Sequence, residues 1–485
     1  MRLIAALISV VTLAAAAPRA QAPATRFDSL AAFAEGKMRE FNVPGIAVGI
    51  VDNGAVTTRG FGITNVEEPL PVTGHTVFPI ASISKTFAAT AMMRLVEQGK
   101  VDLDAPVRKY IPEFRVRDAA VSRDATVWNL LTHSGGWEGQ ISGPERGEDT
   151  LRNFVATAMA DNMQIAPLVS TQGKPATAAW TYNNAGYSVA GHLIEVVTKS
   201  SINRAMRDLI FSPLGLAHAG TTTGDFIVNR FAAGHVMRDG AAALIRPYTH
   251  ATSVTSGGIG VCIEDLMTYA KFHLGDGTSA KGERILTRAS LDLMKTPQME
   301  KQSTDDAIGL GWHIRRAGGV RVAGQGGTAG GHILVLSIVP ERNFAIGILT
   351  NAQNGWRLIQ DVEREALRSY QGIVYRRNQA IAHRGLVETL PDVEPLARQP
   401  DLQQYVGRYQ RPMNAVDVRI DGGALVVQEL PNSGDPRPAM PIAFFGPDRA
   451  VVTDGNDRGQ SIEFVRDGSG TVKWVRVVGR VAVRN

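Results

Sequence analysis

The chain has 485 residues, 44% of them hydrophobic and 20% charged, a globular balance that excludes a disordered or fibrous protein and leaves material for two or three domains and a large core. The formal charge of +5 is modest and not gathered into runs, so it gives no case for nucleic-acid binding. With Cys262 the single cysteine, neither an internal disulfide nor a cysteine-based metal site is expected.

In chain order, residues 1–22 (MRLIAALISVVTLAAAAPRAQA) carry Arg2, an apolar run from Leu3 to Ala17, and small residues at Ala20 and Ala22. This is the pattern of a secretory signal peptide cleaved after Ala22, and the apolar run is short for a spanning anchor. Its removal takes away two arginines and no acid, so the charge falls from +5 to +3. The expected location is periplasmic or secreted, with no stable membrane insertion after signal removal.

Residues 45–65 (GIAVGIVDNGAVTTRGFGITN) predict two strands about the Asp52-Asn53-Gly54 turn. A helix is expected from Ser82 to Gln98, ended by Gly99. Helix and loop signals run from Val127 to Met163. Helical periodicity recurs over 185–211, 264–274 and 286–296. Residues 332–351 then predict a hairpin turned at Pro340 to Asn343, followed by a helix from Trp356 to Tyr370. Strands from both ends of this region enclose a helical middle. The expected class is therefore α+β: one antiparallel sheet flanked by helices with a helical subdomain, over 27–375. Residues 376–400 are polar and proline-bearing and read as a linker. Alternating strands about Gly-containing turns make 401–485 a small all-β, barrel-like domain.

Three stretches carry chemistry. In ASISKTFAATAMMRLVEQGK (81–100), Ser82 and Lys85 lie three apart and share one helix face, and the residues after Lys85 are apolar. A serine hydroxyl attacks only once a base takes its proton, and a desolvated lysine can be that base. An ordinary surface turn is the alternative for this pair alone. In WTYNNAGYSVAGHLIE (180–195), Tyr182 and Asn184 on a loop before an apolar helix suit a proton relay and an amide contact, or a buried tyrosine with a capping asparagine. In VAGQGGTAGGHILVL (322–336), glycines ahead of a strand let a substrate approach the backbone, unless they form only a loose loop.

Set in this order and spacing, the three stretches resemble the penicillin-recognising serine hydrolases: serine β-lactamases, D,D-peptidases and their esterase relatives, nearest the class C-like branch that uses Y-x-N. VPGIAVGIVDNG, TVWNLLTHSGGW, SPLGL, TSGGIGVCIEDLMTYAKF and PERNFAIGILTN extend the resemblance over residues 35–370. The tail around YVGRYQRP is similar to β-domains appended to D-aminopeptidase-like members. The resemblance implies Ser82 as nucleophile and acyl carrier, Lys85 as its base and Tyr182 as proton exchanger. It also implies Asn184 as holder of the substrate amide, and backbone N–H groups of Ser82 and Thr328 as the oxyanion hole.

The third motif departs from the family. Gln325-Gly326-Gly327 stands where Lys or His normally leads, and Gln325 supplies no charge. Neutral esters, amides or peptides are therefore expected ahead of carboxylate-bearing β-lactams. The expected function is an exported serine hydrolase acting on D-amino-acid peptides, cell-wall fragments or small esters. A class C-like β-lactamase and a non-catalytic binding protein on the same fold are the alternatives. No cofactor and no metal is expected, since the ten histidines show no H-E-x-x-H spacing. The partner is a small-molecule or short-peptide substrate. His133 is expected to be a loop residue and His332 to line the cleft or pack. Trp137, Trp180 and Trp312 are candidates for the pocket wall or the core.

Overall fold

A computed structural model describes residues 25–140, 149–169, 180–246, 253–303, 306–374, 393–412, 414–432, 435–455 and 457–485. The signal segment 1–22, residues 376–392 of the expected linker, and 141–148 and 170–179 of the insert lie outside them.

The main sheet has eight strands: β1 (Gly45–Asp52), β2 (Ala55–Gly62), β3 (Met299–Ser303), β4 (Asp306–Ile308), β5 (His313–Ala317), β6 (Val320–Ala329), β7 (His332–Val339) and β8 (Phe344–Thr350). Their spatial order is β2-β1-β8-β7-β6-β5-β4-β3, antiparallel throughout. The expected first hairpin forms because Asn53 (φ 49°) and Gly54 (φ 82°) both adopt the left-handed conformation that a two-residue turn needs.

Side-chain alternation divides the sheet between two cores. Ile46, Val48 and Ile50 of β1 pack with Phe27, Leu30, Leu358 and Val362, from helices α1 (Arg26–Glu40) and α5 (Trp356–Gln371). Ala47 and Val51 face the other way, into a larger core shared with helices α2 (Ser84–Glu97), α3 (Asn184–Thr198) and α4 (Ile263–Leu274). Helix α4 reaches the sheet through a glycine pair: Gly49 faces Gly347 across β1 and β8. A Cβ at either position would stand within 2.5 Å of the Met267 side chain.

Helix α2 is buried around its circumference, every residue from Ser84 to Met93 being enclosed, as befits a helix at the centre of a large protein. The helical signal over 185–211 resolves into pieces. Helix α3 stops at Lys199 (φ 55°), and a second helix begins at Ile202, whose backbone N–H donates to Glu195 at 2.9 Å. The left-handed Lys199 ends the first helix and the Glu195 carboxylate caps the start of the next.

Eight further strands, β9 (Gly407–Arg411), β10 (Asn414–Asp421), β11 (Ala424–Pro431), β12 (Met440–Gly446), β13 (Arg449–Val452), β14 (Ser461–Arg466), β15 (Val472–Val477) and β16 (Arg480–Arg484), form a closed barrel. β9 pairs with β16, so no edge is left open. Tyr405, Tyr409, Phe444 and Phe464 fill it.

The barrel docks on the segment ahead of α3. Tyr182 N donates to Gly479 O (2.9 Å), Val481 N to Thr181 Oγ1 (3.2 Å) and Arg476 Nε to Trp180 O (3.1 Å).

Candidate active site

Ser82 lies in a single 3-10 turn, Ala81–Ile83, that leads into α2. Ala81 has φ 45°, a left-handed conformation that costs a non-glycine residue free energy and is held only where the surroundings over-determine it. Those surroundings are Ile80 N donating to Ile259 O (2.8 Å) and Ile259 N donating to Ser84 Oγ (3.1 Å).

Lys85 is wholly enclosed, with 0% exposure. Its Nζ stands 3.1 Å from Ser82 Oγ and 2.6 Å from Ser256 O. It makes no ion pair among the described residues. Two rings also face it: Nζ is 4.9 Å from the Tyr182 ring centroid and 5.5 Å from that of Tyr187. Ring faces favour an ammonium by about 1–2 kcal/mol, whereas burial without a counter-ion disfavours it by more. Burial prevails, helped by the positive charge of Arg480, and holds the amine well below the ordinary lysine value. A neutral Nζ can donate to Ser256 O and turn its lone pair to the Ser82 hydroxyl.

Burial pushes the Tyr182 phenol up to about 12, offset only in part by Ser82, Arg480 and Gln325 beside it. Its loop is fixed by His133, which adopts φ 60° at the end of a short helix. His133 Nδ1 accepts from Asn183 N (3.0 Å), its carbonyl accepts from Thr181 N (2.9 Å), and its ring lies 4.6 Å from that of Tyr182. His133 is thus the loop residue expected, and it orients the tyrosine. Asn183 caps α3 through Gly186 N (2.7 Å) and donates to Trp137 O (2.7 Å). Asn184 opens α3 with Nδ2 bonded to Gln140 Oε1 at 2.5 Å, and its Oδ1 is buried without a hydrogen bond.

Gln325, Gly326, Gly327 and Thr328 are consecutive on β6, with Gln325 buried and Thr328 exposed. Gly327 is where the strand meets the serine turn. A Cβ there would stand 2.5 Å from Ile80 O and 3.2 Å from Ala81 Cβ, both of them parts that cannot swing away. Gly327→Ala is therefore expected to push strand and turn apart and slow Ser82 acylation about 10²-fold, since small misplacements of reacting groups are that costly. An unchanged far-UV circular dichroism spectrum would show that the fold survives the change.

One charged group in the cleft has no counterpart among the sequence candidates. Arg480 begins β16 and its guanidinium carbon lies 5.3 Å from the Tyr182 ring centroid. It is presented by the two-residue turn Val478-Gly479, in which Val478 has φ 52° and Gly479 φ 67°. A β-branched residue rarely accepts that conformation. The only signal in the sequence was therefore a valine where a tight hairpin ordinarily has asparagine or glycine.

His332 is buried, with Nε2 3.0 Å from Ala232 O and Nδ1 3.3 Å from Ala329 O, so it packs under the strand. Trp137, Trp180 and Trp312 are each about 1% exposed and belong to the core. Distant segments do bring His75, His218 and Cys262 together, their ligand-type atoms all within 4.8 Å, a convergence that spacing along the chain does not reveal. Burial pushes the Cys262 thiol up to about 12, and its sulfur already accepts from Asp265 N as a helix cap.

The beta-lactamase family profile matches residues 30–368. Penicillin-binding protein 4 of Amycolatopsis lactamdurans is 30% identical over 394 residues, covering 80% of this chain and 96% of its own. The crystal structure of SurE with D-Leu superposes with a TM-score of 0.74 at 26% identity, over 94% of this chain and 99% of that one. An octameric penicillin-binding protein homologue from Pyrococcus abyssi shares the fold, with a TM-score of 0.62 at 23% identity over 91% and 97% of the two chains. With the profile spanning most of the chain, and a relative 30% identical over 80% of it, the protein belongs to the beta-lactamase family.

Proposed function

We propose that the protein is an exported serine hydrolase that cleaves amide or ester bonds through an acyl-enzyme on Ser82. The observation that carries this reading is Lys85: a fully buried amine with no acidic partner among the described residues, 3.1 Å from a serine hydroxyl. A structural lysine would be paired or would extend to water.

In this reading Lys85 Nζ takes the Ser82 proton as Oγ attacks the substrate carbonyl. The tetrahedral oxygen accepts from the backbone N–H groups of Ser82 and Thr328. Lys85, now an ammonium, returns the proton through Tyr182 to the departing amine or alcohol. A phenol held at about 12 is protonated at working pH, so Tyr182 relays protons and is not a standing base. Water then attacks the ester, its proton passes into the Tyr182–Lys85 pair, and Ser82 is released with its hydrogen. Asn184 and Gln325 would hold the substrate amide.

D-Amino-acid peptides and cell-wall fragments are the substrate classes we favour, with small esters as surrogates. The presence of D-Leu in the related SurE crystal is consistent with this choice. Export to the periplasm or medium rests on the N-terminal apolar run. Neither nucleic acid nor, after signal removal, a bilayer is part of the reading.

The test is turnover of p-nitrophenyl acetate and nitrocefin by the mature protein and by Ser82→Ala. Ester turnover that disappears in Ser82→Ala is the expected result. Ser82-dependent turnover dominated by nitrocefin would make it a class C-like β-lactamase. Equal ester rates in the two proteins would sink the acyl-enzyme.

A further inference from the structure

Arg480 is a half-buried charge with no ion-pair partner among the described residues. Its Nη1 is enclosed and makes no hydrogen bond, although the residue as a whole is only partly covered. The neighbouring charges are committed elsewhere. Arg411 takes Glu429 at 3.2 Å and Asn414 takes the same carboxylate at 3.0 Å, while Glu138 Oε1 accepts from Gln140 N at 2.7 Å and its Oε2, enclosed without a hydrogen bond, is not paired with Arg480 either. Glu138 and Glu429 lie close enough to favour the charged guanidinium, but neither forms an ion pair with it among the described residues. An enclosed cation with an unused donor is costly unless a ligand completes it.

The side chain is also aimed. Its strained turn is clamped on both sides, by Tyr182 N on Gly479 O and by Val481 N on Thr181 Oγ1. The clamp ties it to the very loop that carries Tyr182. Meanwhile the third motif offers Gln325, a neutral group.

We propose that Arg480, delivered by the C-terminal barrel, is the carboxylate-binding residue of this cleft, so that the preferred substrates are amides or esters bearing a free carboxylate near the scissile bond. The inference rests on the acyl-enzyme reading above for its catalytic consequence. It reverses the expectation from Gln325 that neutral substrates would be favoured, because the missing cation arrives from a different domain. A guanidinium suits this task, presenting paired donors to the two carboxylate oxygens.

The experiment uses the full mature protein and a matched pair of depsipeptide esters, N-acetyl-D-alanyl-D-lactate and its D-lactamide. Wild type should favour the free carboxylate by about 10- to 100-fold in kcat/KM, the range for a charge-assisted hydrogen bond. Arg480→Gln should erase that preference by slowing only the carboxylate member, and Arg480→Lys should keep part of it. A merely structural arginine would slow both members alike. Equal turnover of the pair by wild type, or a preference that survives Arg480→Gln, would overturn the proposal. Should no Ser82 adduct form on either ester, the acyl-enzyme reading falls separately. Calorimetry on Ser82→Ala with N-acetylalanine and its amide, both enantiomers, then decides the subsite alone. Acid-selective binding abolished by Arg480→Gln supports it, and binding indifferent to either change refutes it.

Discussion

Replacing Lys85 with methionine should slow Ser82 acylation by about 10²- to 10⁴-fold, the usual contribution of a positioned general base, and Lys85→Arg should do the same. Arginine keeps a positive charge and donors but cannot give up its proton at working pH, so it separates the role of base from that of mere cation. The buried amine also sets the pH dependence. Its pKa is lowered by burial and by Arg480, so the fraction of free base, and with it the acylation rate, rises with pH through a window well below 10.5. Tyr182, at about 12, adds no falling limb at working pH. The same shift affects stability. Between the folded-state value and the ordinary 10.5, the folded chain binds fewer protons than the unfolded one, so this residue's contribution to stability is lost as pH falls. Stopped-flow acylation across pH checks all of this. A flat profile, or a Lys85→Arg protein that acylates normally, would remove Lys85 from the mechanism.

Glu463→Ala should be the most destabilising single change in the barrel, by about 3–5 kcal/mol, the cost of leaving one member of a buried ion pair alone. Arg476 and Glu463 form a contact enclosed on both sides, with side-chain exposures of 0% and 9%. Arg476 also donates to Trp180 O, two residues before Tyr182. Burial already pulls the Arg476 guanidinium down and Glu463 offsets it. Urea unfolding should show the loss, and ester turnover should fall with it because the Tyr182 loop is held by the barrel. The double variant Glu463→Leu/Arg476→Met should recover much of the stability, since removing both charges also removes the desolvation cost. A Glu463→Ala protein as stable as wild type would mean that the pair does not clamp the two units.

The sequence was most legible where chemistry and local structure are written in adjacent residues. Ser82 and Lys85 share a helix face by spacing alone, and the apolar residues that follow foretell the burial of the amine. Asn53-Gly54 announces its turn, and the hairpin at Pro340 to Asn343 forms as β7 and β8. The glycines of 322–336 were expected ahead of a strand, admitting a substrate; Gly327 instead lies within β6, and what approaches it is the Ile80 carbonyl, about 250 residues away in the chain and supplied only by the fold. Arg480 was illegible for the same reason in stronger form. In VVGRVAVRN only the valine of the tight turn stands out, and the meaning of the arginine depends on how a barrel sits against a loop some three hundred residues earlier. The helix break at Lys199 was missed because apolar periodicity continues across it, while the break itself rests on a left-handed lysine and on the Glu195 carboxylate reaching Ile202 N.

The central claim is that Ser82 carries the acyl group. Its most direct measurement is intact-mass analysis of the mature protein quenched during turnover of p-nitrophenyl acetate at low pH, followed by peptide mapping. The account predicts an added acetyl mass confined to the peptide containing Ser82, smaller at equal times in Lys85→Met and absent from Ser82→Ala. An adduct on another residue, or ester turnover with no adduct under conditions that trap deacylation, would contradict it.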